Sequence, residues 1–309
     1  MEGNYIGIDV GGTNIRIALV NEGDKVGDLV YLSVKEYSSW DELLIDLVSI
    51  IREMQADRIR AVGVAVAGGV VISKGIVSYS PHVRWIDGQP VRQSLAKAID
   101  LPVWMDNDAN AVTYGEWMYG AGKGFSSIIC LTLGSGVGGG IILNRELHRG
   151  EDGLGGEIGH MCVQPNGRPC MCGKRGCLEA YSSGTAISSI YREKDRNSAI
   201  DDDITPVQVY EKATSGEKLA LEAFEGFGEH LGIAIANLVN VFSIHHYIIT
   251  GGVSCAWELF FDSLEEALEA NLFHPHKGRV KVLHGQLGDK AGVIGVARMA
   301  QDYLRSGLQ

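Results

Sequence analysis

The chain is predicted to be an α/β protein of two lobes, with glycine-rich turns facing a cleft between them. Three observations predict this. At 309 residues a single hydrophobic core becomes awkwardly large, and two are expected. Glycine fills 41 positions with only 7 prolines beside it, about twice average usage and without a G-X-Y period. That excludes collagen-like and low-complexity chains and assigns glycine to places where the backbone turns left-handed or lets a ligand approach. Residues 5–20 and 127–143 also share one pattern of strand, glycine turn and strand, the echo expected of two lobes built alike.

Residues 5–9 and 15–20 are β-rich runs around Val10-Gly11-Gly12-Thr13-Asn14 and read as a hairpin. A third strand is expected near 29–34. Leu43, Leu44, Leu47, Val48 and Ile51 mark one face of a helix over 41–54. A buried-type strand, Ala61 to Ala67, runs into Gly68-Gly69. Another, Val103 to Met105, runs into Asp106-Asn107-Asp108 and a helix over 109–119. The first lobe ends there, at 119, and the second opens with strands Ser127–Leu133 and Gly139–Leu143. Residues 150–184 are loop-like and rich in Gly, Cys, His and Glu. Helices are expected over 184–194, 206–213 and 217–241, with Asp201-Asp202-Asp203 as a solvated loop or helix cap. Strand Tyr247–Thr250 ends in Gly251-Gly252, a helix covers 256–270, and a strand near 280–283 precedes a helix over 290–305.

Composition narrows the function. With 27 basic against 38 acidic residues the net charge is −11, a poor match for nucleic acid or an anionic membrane. No apolar run reaches the roughly 18–20 residues that span a bilayer. Met1 to Asp9 enters a strand at once, so a signal peptide is not expected and the protein is read as cytoplasmic. In that setting three cysteines at Cys170, Cys172 and Cys177 read as metal ligands before disulfides.

Several turns carry chemistry. In Asp9-Val10-Gly11-Gly12-Thr13-Asn14 two glycines let backbone N–H groups converge on an anion, with the Thr13 hydroxyl and Asn14 amide beside them. Asp9 suits water around a divalent ion. The same residues also make a plain hairpin turn with a structural aspartate. The turn Leu133 to Gly140 contains G-x-G-x-x-G at Gly134, Gly136 and Gly139. A dinucleotide fold needs a helix next, and Ile141-Ile142-Leu143 is strand-like. What survives is a phosphate cradle with the Thr132 and Ser135 hydroxyls. No G-x-x-x-x-G-K-[ST] is present, which excludes a P-loop. Asp108, at a helix start where the dipole favours its ionised form, suits a general base for a hydroxyl, although Asp and Asn are also the commonest N-caps. His160 with Cys170, Cys172 and Cys177 makes a Cys₃His set for a closed, structural tetrahedral zinc. Such a loop would hold Glu157 and Glu179 close together, two acceptors suited to sugar hydroxyls. Gly251-Gly252 reads as a strand-to-helix turn open to a flat base or ribose, or simply as a helix start.

In this order the motifs resemble the ROK family of repressors, open reading frames and sugar kinases. The matching stretches are Asp9-Val-Gly-Gly-Thr-Asn14, Asn107-Asp108-Ala-Asn110, Leu133-Gly-Ser-Gly-Val-Gly-Gly-Gly140, Gly156-Glu-Ile-Gly-His160, Cys170-Met-Cys-Gly-Lys-Arg-Gly-Cys177-Leu-Glu179 and Gly251-Gly252. The resemblance implies a two-lobed actin/hexokinase-like ATPase fold with an interlobe cleft. Its last helix packs back on the first lobe, giving lobes 1–119 plus 290–309 and 120–289 with the zinc loop. It implies phosphoryl transfer from Mg-ATP to a hexose or N-acetylhexosamine, commonly at the 6-hydroxyl as in glucokinases, with Asp108 as the base. Asn107, Glu157, His160 and Glu179 would grip the other hydroxyls, with Gly68 contributing backbone. Gly11, Gly12, Thr13, Gly134 and Ser135 would hold phosphates, and Gly251 and Gly252 would flank the adenosine. Members are often homodimers.

Two departures stand out. The basic residue common after Gly-Gly-Thr is Asn14 here, and Ser80-Pro81-His82 stands where many members have Ser-Pro-Asn. The family's sugar-responsive regulators carry a helix-turn-helix ahead of the first phosphate turn. Only eight residues precede Asp9, so the kinase is expected and the sensor is the alternative.

Overall fold

The computed structural model describes residues 3–23, 25–54, 59–194 and 204–307. The Asp201-Asp202-Asp203 run lies outside them. The chain forms two compact units, one of Met1–Ser126, Gly140–Gly156 and Gln286–Gln309, the other of Ser127–Gly139 and Glu157–Gly285.

The first unit is built on strands β1 (Asn4–Val10), β2 (Asn14–Asn21), β3 (Val30–Ser33), β4 (Ile59–Val66), a short hairpin of β5 (Gly69–Val71) and β6 (Ile76–Tyr79), and β7 (Val103–Asn107). Its helices are α1 (Trp40–Glu53), α2 (Val91–Ile99) and α3 (Asp108–Tyr119). The main sheet runs β3-β2-β1-β4-β7, antiparallel across β1–β3 and parallel from β1 to β7. Both faces are covered, so its strands read as nearly continuous apolar runs. On one face Ile6, Ile8, Val62 and Val64 pack with Leu43 and Leu47 of α1 and Leu95 of α2. On the other, Tyr5, Val20 and Ala61 meet Ala297 and Ala300 of the last helix. Neither β5–β6 nor α2 was apparent from periodicity: β5 and β6 have 3 and 4 residues, too short for a pattern.

The second sheet is ordered β10-β9-β8-β11-β12, from β8 (Ile128–Leu133), β9 (Val137–Leu143), β10 (Glu146–Leu147), β11 (His246–Thr250) and β12 (Lys281–His284). Its order repeats the first sheet's, with β8, β11 and β12 parallel. The strand–turn–strand echo of residues 5–20 and 127–143 is therefore a repeat in topology. The helices of this half are α4 (Gly184–Lys194), α5 (Pro206–Thr214), α6 (Lys218–Phe242) and α7 (Trp257–Asn271). Asn144 and Arg145 both take positive φ, 52° and 68°, the conformation of a two-residue hairpin turn between β9 and β10.

The final helix, α8 (Ala291–Ser306), lies on β1, β4 and α3. Glycine makes this possible: a side chain at Gly7 or Gly63 would overlap the backbone of Val293 or Val296, and one at Gly295 the backbone of Ala111. Part of the glycine excess therefore serves helix-on-sheet packing and not ligand approach. Residues 286 and 287 are tied in by buried Glu116, whose carboxylate accepts the N–H groups of Gln286 (3.0 Å), Leu287 (2.9 Å) and Ala121 (2.9 Å).

Against the expected lobes of 1–119 plus 290–309 and 120–289, this grouping differs mainly at 140–156. That segment groups with the first unit because Gly140 leaves room only for Thr113, Gly153 abuts the carbonyl of Val70, and Arg149 ion-pairs with Asp106 at 2.8 Å. Among the described residues no helix is long and apolar enough to cross a membrane.

Candidate active site

In the first unit, β1 and β2 are joined by the turn that carries Gly11 and Gly12. The turn is closed by the Gly11 N–H donating to the Asn14 carbonyl (3.1 Å), while the Thr13 carbonyl accepts from Val34 (2.9 Å). Thr13 and Asn14 are exposed. The space a side chain at Gly12 would occupy is filled by the His82 ring, about 3.0 Å away. His82 sits on a fixed loop: the Ser80 hydroxyl, fully buried, donates to the Ala67 carbonyl (2.7 Å) and accepts from Val83 (3.2 Å).

Asp9, at the end of β1, is 7% exposed. Arg16 approaches its Oδ2 at 3.7 Å and bonds Asp289 at 2.9 Å. Burial pushes the Asp9 carboxyl up to about 7, the Asp108 carboxylate adds to the rise, Arg16 opposes it and Asp289 adds a little more. Two carboxylates of the first unit therefore feel one another.

β7 delivers Asp106, Asn107 and Asp108 to the start of α3. The side chain that caps the helix is Asn107: its Oδ1 accepts the Asn110 N–H (3.1 Å), filling an orphan donor of the first turn. Its amide nitrogen donates to the Gly68 carbonyl (3.0 Å) and to Asp108 Oδ1 (3.1 Å). Asp108 Oδ1 also accepts from the Ala109 N–H (2.9 Å). Asp108 is the first helical residue and half-buried, not the exposed cap that its type suggests. Gly68 has φ 129° and backs onto Tyr79 and Ser80, so only glycine fits the carbonyl to Asn107. Gly68, Asn107 and Asp108, expected to act together, are bonded together.

In the second unit the glycine turn follows β8 and leads into a strand, as the failed dinucleotide pattern required. Its Gly134 N–H donates to the Gly136 carbonyl (3.0 Å), and the Gly134 carbonyl accepts from Gly184 (2.8 Å). The Ser135 carbonyl accepts from the Thr185 hydroxyl (2.8 Å), and the Ser135 side chain is exposed. Thr132 pairs with Thr250 across β8 and β11. Gly251, at φ 93°, abuts Leu133 so closely that a Cβ would lie 2.5 Å from its carbonyl oxygen, and Gly252 begins a 3₁₀ turn into α7. Thr132, Gly134, Ser135, Gly251 and Gly252 thus form one rim. Glu179 reaches the same turn, its Oε2 accepting the Val137 N–H (3.0 Å) in the space left by Gly136.

His160, Cys170, Cys172 and Cys177 also come together, with one donor atom of each within 4.8 Å of the others. His160 Nδ1 lies 3.8 Å from Cys170 Sγ, and Cys172 Sγ lies 3.6 Å from Cys177 Sγ. Ligands at about 2.3 Å around a tetrahedral zinc are separated by about 3.8 Å, so the donor set fits that ion. Gly173 and Gly176, at φ 85° and 81°, turn the loop around the cluster. Cys170 Sγ is 3.8 Å from Glu179 Oε1, so the cluster borders that carboxylate. Glu157 is exposed and precedes the 3₁₀ turn that presents His160.

Sequence reasoning missed Asp106 and Arg149. Asp106 is fully buried, with Oδ1 accepting from the Asn107 N–H (2.9 Å) and the Asn110 amide (3.0 Å) and Oδ2 from Arg149 Nε (2.8 Å). The one available signal was strand alternation, which turns Asp106 inward when Asn107 faces the turn.

Comparison with known proteins identifies the family and the fold. The ROK family matches residues 5–303. A glucokinase of Thermotoga maritima is 33% identical across 97% of this chain and 98% of its own. A xylose repressor of Caldicellulosiruptor bescii is 32% identical across 98% of this chain and 79% of its own. The crystal structure of a ROK family glucokinase from Streptomyces griseus in complex with glucose and AMPPNP aligns with a TM-score of 0.85 at 30% identity, covering 97% of this chain and 100% of that one. The fold is that of the actin-like ATPases.

Proposed function

The chain belongs to the ROK family, and we propose that it is an ATP-dependent hexose kinase, with glucose the first substrate to test and the 6-hydroxyl the acceptor. The observation that carries this reading is the Gly68–Asn107–Asp108 cluster at the start of α3, in the unit that also holds the Asp9 turn. Asp108, held by Asn107 and by its own helix, takes the proton of the attacking hydroxyl. Asn107, Glu157, His160 and Glu179 orient the other hydroxyls, and Gly68 contributes its backbone. His160 faces Cys170 through Nδ1, which leaves the opposite ring nitrogen for substrate.

Gly11, Gly12, Thr13 and Asn14 on one turn, with Thr132, Gly134 and Ser135 on the other, hold the phosphates of ATP, the Gly11 and Gly134 N–H groups closing their turns and the remaining N–H groups and the hydroxyls binding phosphate. Gly251 and Gly252 flank the adenosine. Mg²⁺ bound with the nucleotide would supply neutralisation of charge on the transferred phosphoryl group. Asp9 would hold water around that ion. Zinc on His160, Cys170, Cys172 and Cys177 has a structural role, because four protein ligands close its shell, and it fixes the loop that presents Glu179. The enzyme works in the cytoplasm, where ATP is supplied, as a homodimer in keeping with the family resemblance.

The test is ADP release over a panel of hexoses and N-acetylhexosamines. Asp108→Asn, correctly folded, is expected to lower kcat by about 10²–10⁴, and near-normal kcat in that variant refutes the base. The repressor relative supplies the other reading, a sugar sensor. Sugar binding without ADP formation from any member of the panel would establish it.

A further inference from the structure

Resting on the assignment of Asp108 as base, we infer that the Asp106–Arg149 pair is the positioning element of the sugar site. It fixes where Asp108 and Asn107 stand and couples them to the glycine loop before Glu157.

Asp106 divides its work between two oxygens. Oδ1 accepts the Asn107 N–H (2.9 Å) and the Asn110 side-chain amide (3.0 Å), the residues that bracket Asp108 at the strand–helix junction. Oδ2 accepts Arg149 Nε and Nη2, both at 2.8 Å. The guanidinium also lies over the Trp104 ring, 5.7 Å from its centroid. Stacking and a two-nitrogen grip together set the plane of the arginine, which a lysine would not do.

Arg149 works from its backbone as well. Its carbonyl accepts the Gly155 N–H (2.8 Å), and a side chain at Gly155 would lie within about 3 Å of Arg149 and Gly150 atoms. The loop 149–155 is wound onto this residue. A side chain at Gly153 would lie 3.2 Å from the Val70 carbonyl oxygen, two residues past the Gly68 carbonyl that Asn107 holds. One residue thus ties the base segment, the Gly68 strand end and the loop leading to Glu157.

Stability alone gives a weak reason for this pair. A charge pair with one partner fully buried carries a desolvation penalty, and an apolar replacement of both is often as stable or more so. What the apolar replacement lacks is direction. The pair holds Asp108 in line with an acceptor hydroxyl, and a displacement of about 1 Å there can lower rate about 10²-fold.

The experiment compares Arg149→Lys, Arg149→Met and the double variant Asp106→Asn with Arg149→Met, using the full chain, glucose and ATP. Arg149→Lys is expected to keep the cooperative melt, to lower kcat/KM for glucose by about 10²-fold and to leave KM for ATP within about twofold. Arg149→Met strands the Asp106 charge and melts earlier, and the double variant regains melting temperature without regaining glucose kcat/KM. That split marks positioning. If glucose kinetics recover with melting temperature in the double variant, or if Arg149→Lys matches the wild type, the pair is only structural and the inference is refuted. Retained turnover in Asp108→Asn refutes the base assignment itself. Lost turnover there beside normal turnover in Arg149→Lys refutes the pair's role alone.

Discussion

At Asp9 the needs of the site and of the fold oppose each other, and the opposition has a measurable pH signature. Burial, then the Asp108 carboxylate, raise its pKa from 3.8 to about 7. In the unfolded chain the group returns to its ordinary value. Between about pH 4 and pH 7 the folded protein therefore binds a proton that the unfolded chain has released. The stability this proton supplies is complete below about pH 4 and is lost as pH rises through 7. A gap of about three pKa units at about 1.36 kcal/mol each bounds the loss at about 4 kcal/mol. Asp9→Asn removes the ionisation and keeps the shape. The variant should therefore melt progressively above the wild type as pH rises from 5 to 8.5, measured without nucleotide. At about 2–4 °C per kcal/mol the difference reaches on the order of 10 °C. The same variant should be a poor kinase, because the ionised carboxylate is the form proposed to hold water around Mg²⁺. Parallel melting curves for the two proteins across this range refute the argument, since they would mean that Asp9 is as easily ionised folded as unfolded.

Two further outcomes test the second unit. A methyl group in Gly136→Ala would overlap Glu179 Oε2 and displace it from the Val137 N–H; glucose KM should rise about tenfold, by more than KM for ATP, which also rises because Gly136 closes the phosphate turn, and an unchanged glucose KM would remove Glu179 from the sugar site. Cys172→Ser should lose one equivalent of zinc by metal analysis and melt lower, and a zinc-free wild-type protein refutes the metal assignment.

Long elements were legible because burial imposes a period. The α1 stripe of Leu43, Leu47 and Ile51 is buried where expected. The apolar runs of β1, β4, β8 and β11 are strands in both sheets. The turns were legible for a different reason: a glycine such as Gly251 or Gly68 takes a conformation that other residues disfavour. Short pieces escaped both signals. β5 and β6 become strands by bonding one another, with Val77 of β6 also accepting from Gly88, and nothing in three or four residues announces such partners.

The site divides along the same line. The grouping of His160, Cys170, Cys172 and Cys177 and the Asn107-Asp108 pair were legible because these residues lie close together in the chain. Asp106 and Arg149, 43 residues apart, join through tertiary packing. Glycine composition was ambiguous for a related reason. Gly12 and Gly7 are identical letters, yet one leaves room for the His82 ring and the other for the backbone of α8. What a glycine makes room for is decided by the neighbour that fills the space, and that neighbour is set by the fold. An unaided reading of glycine therefore overstates ligand contact wherever a helix lies flat on a sheet. Gly7, Gly63 and Gly295 are such positions, and enlarging any of them should act on the fold before it acts on turnover.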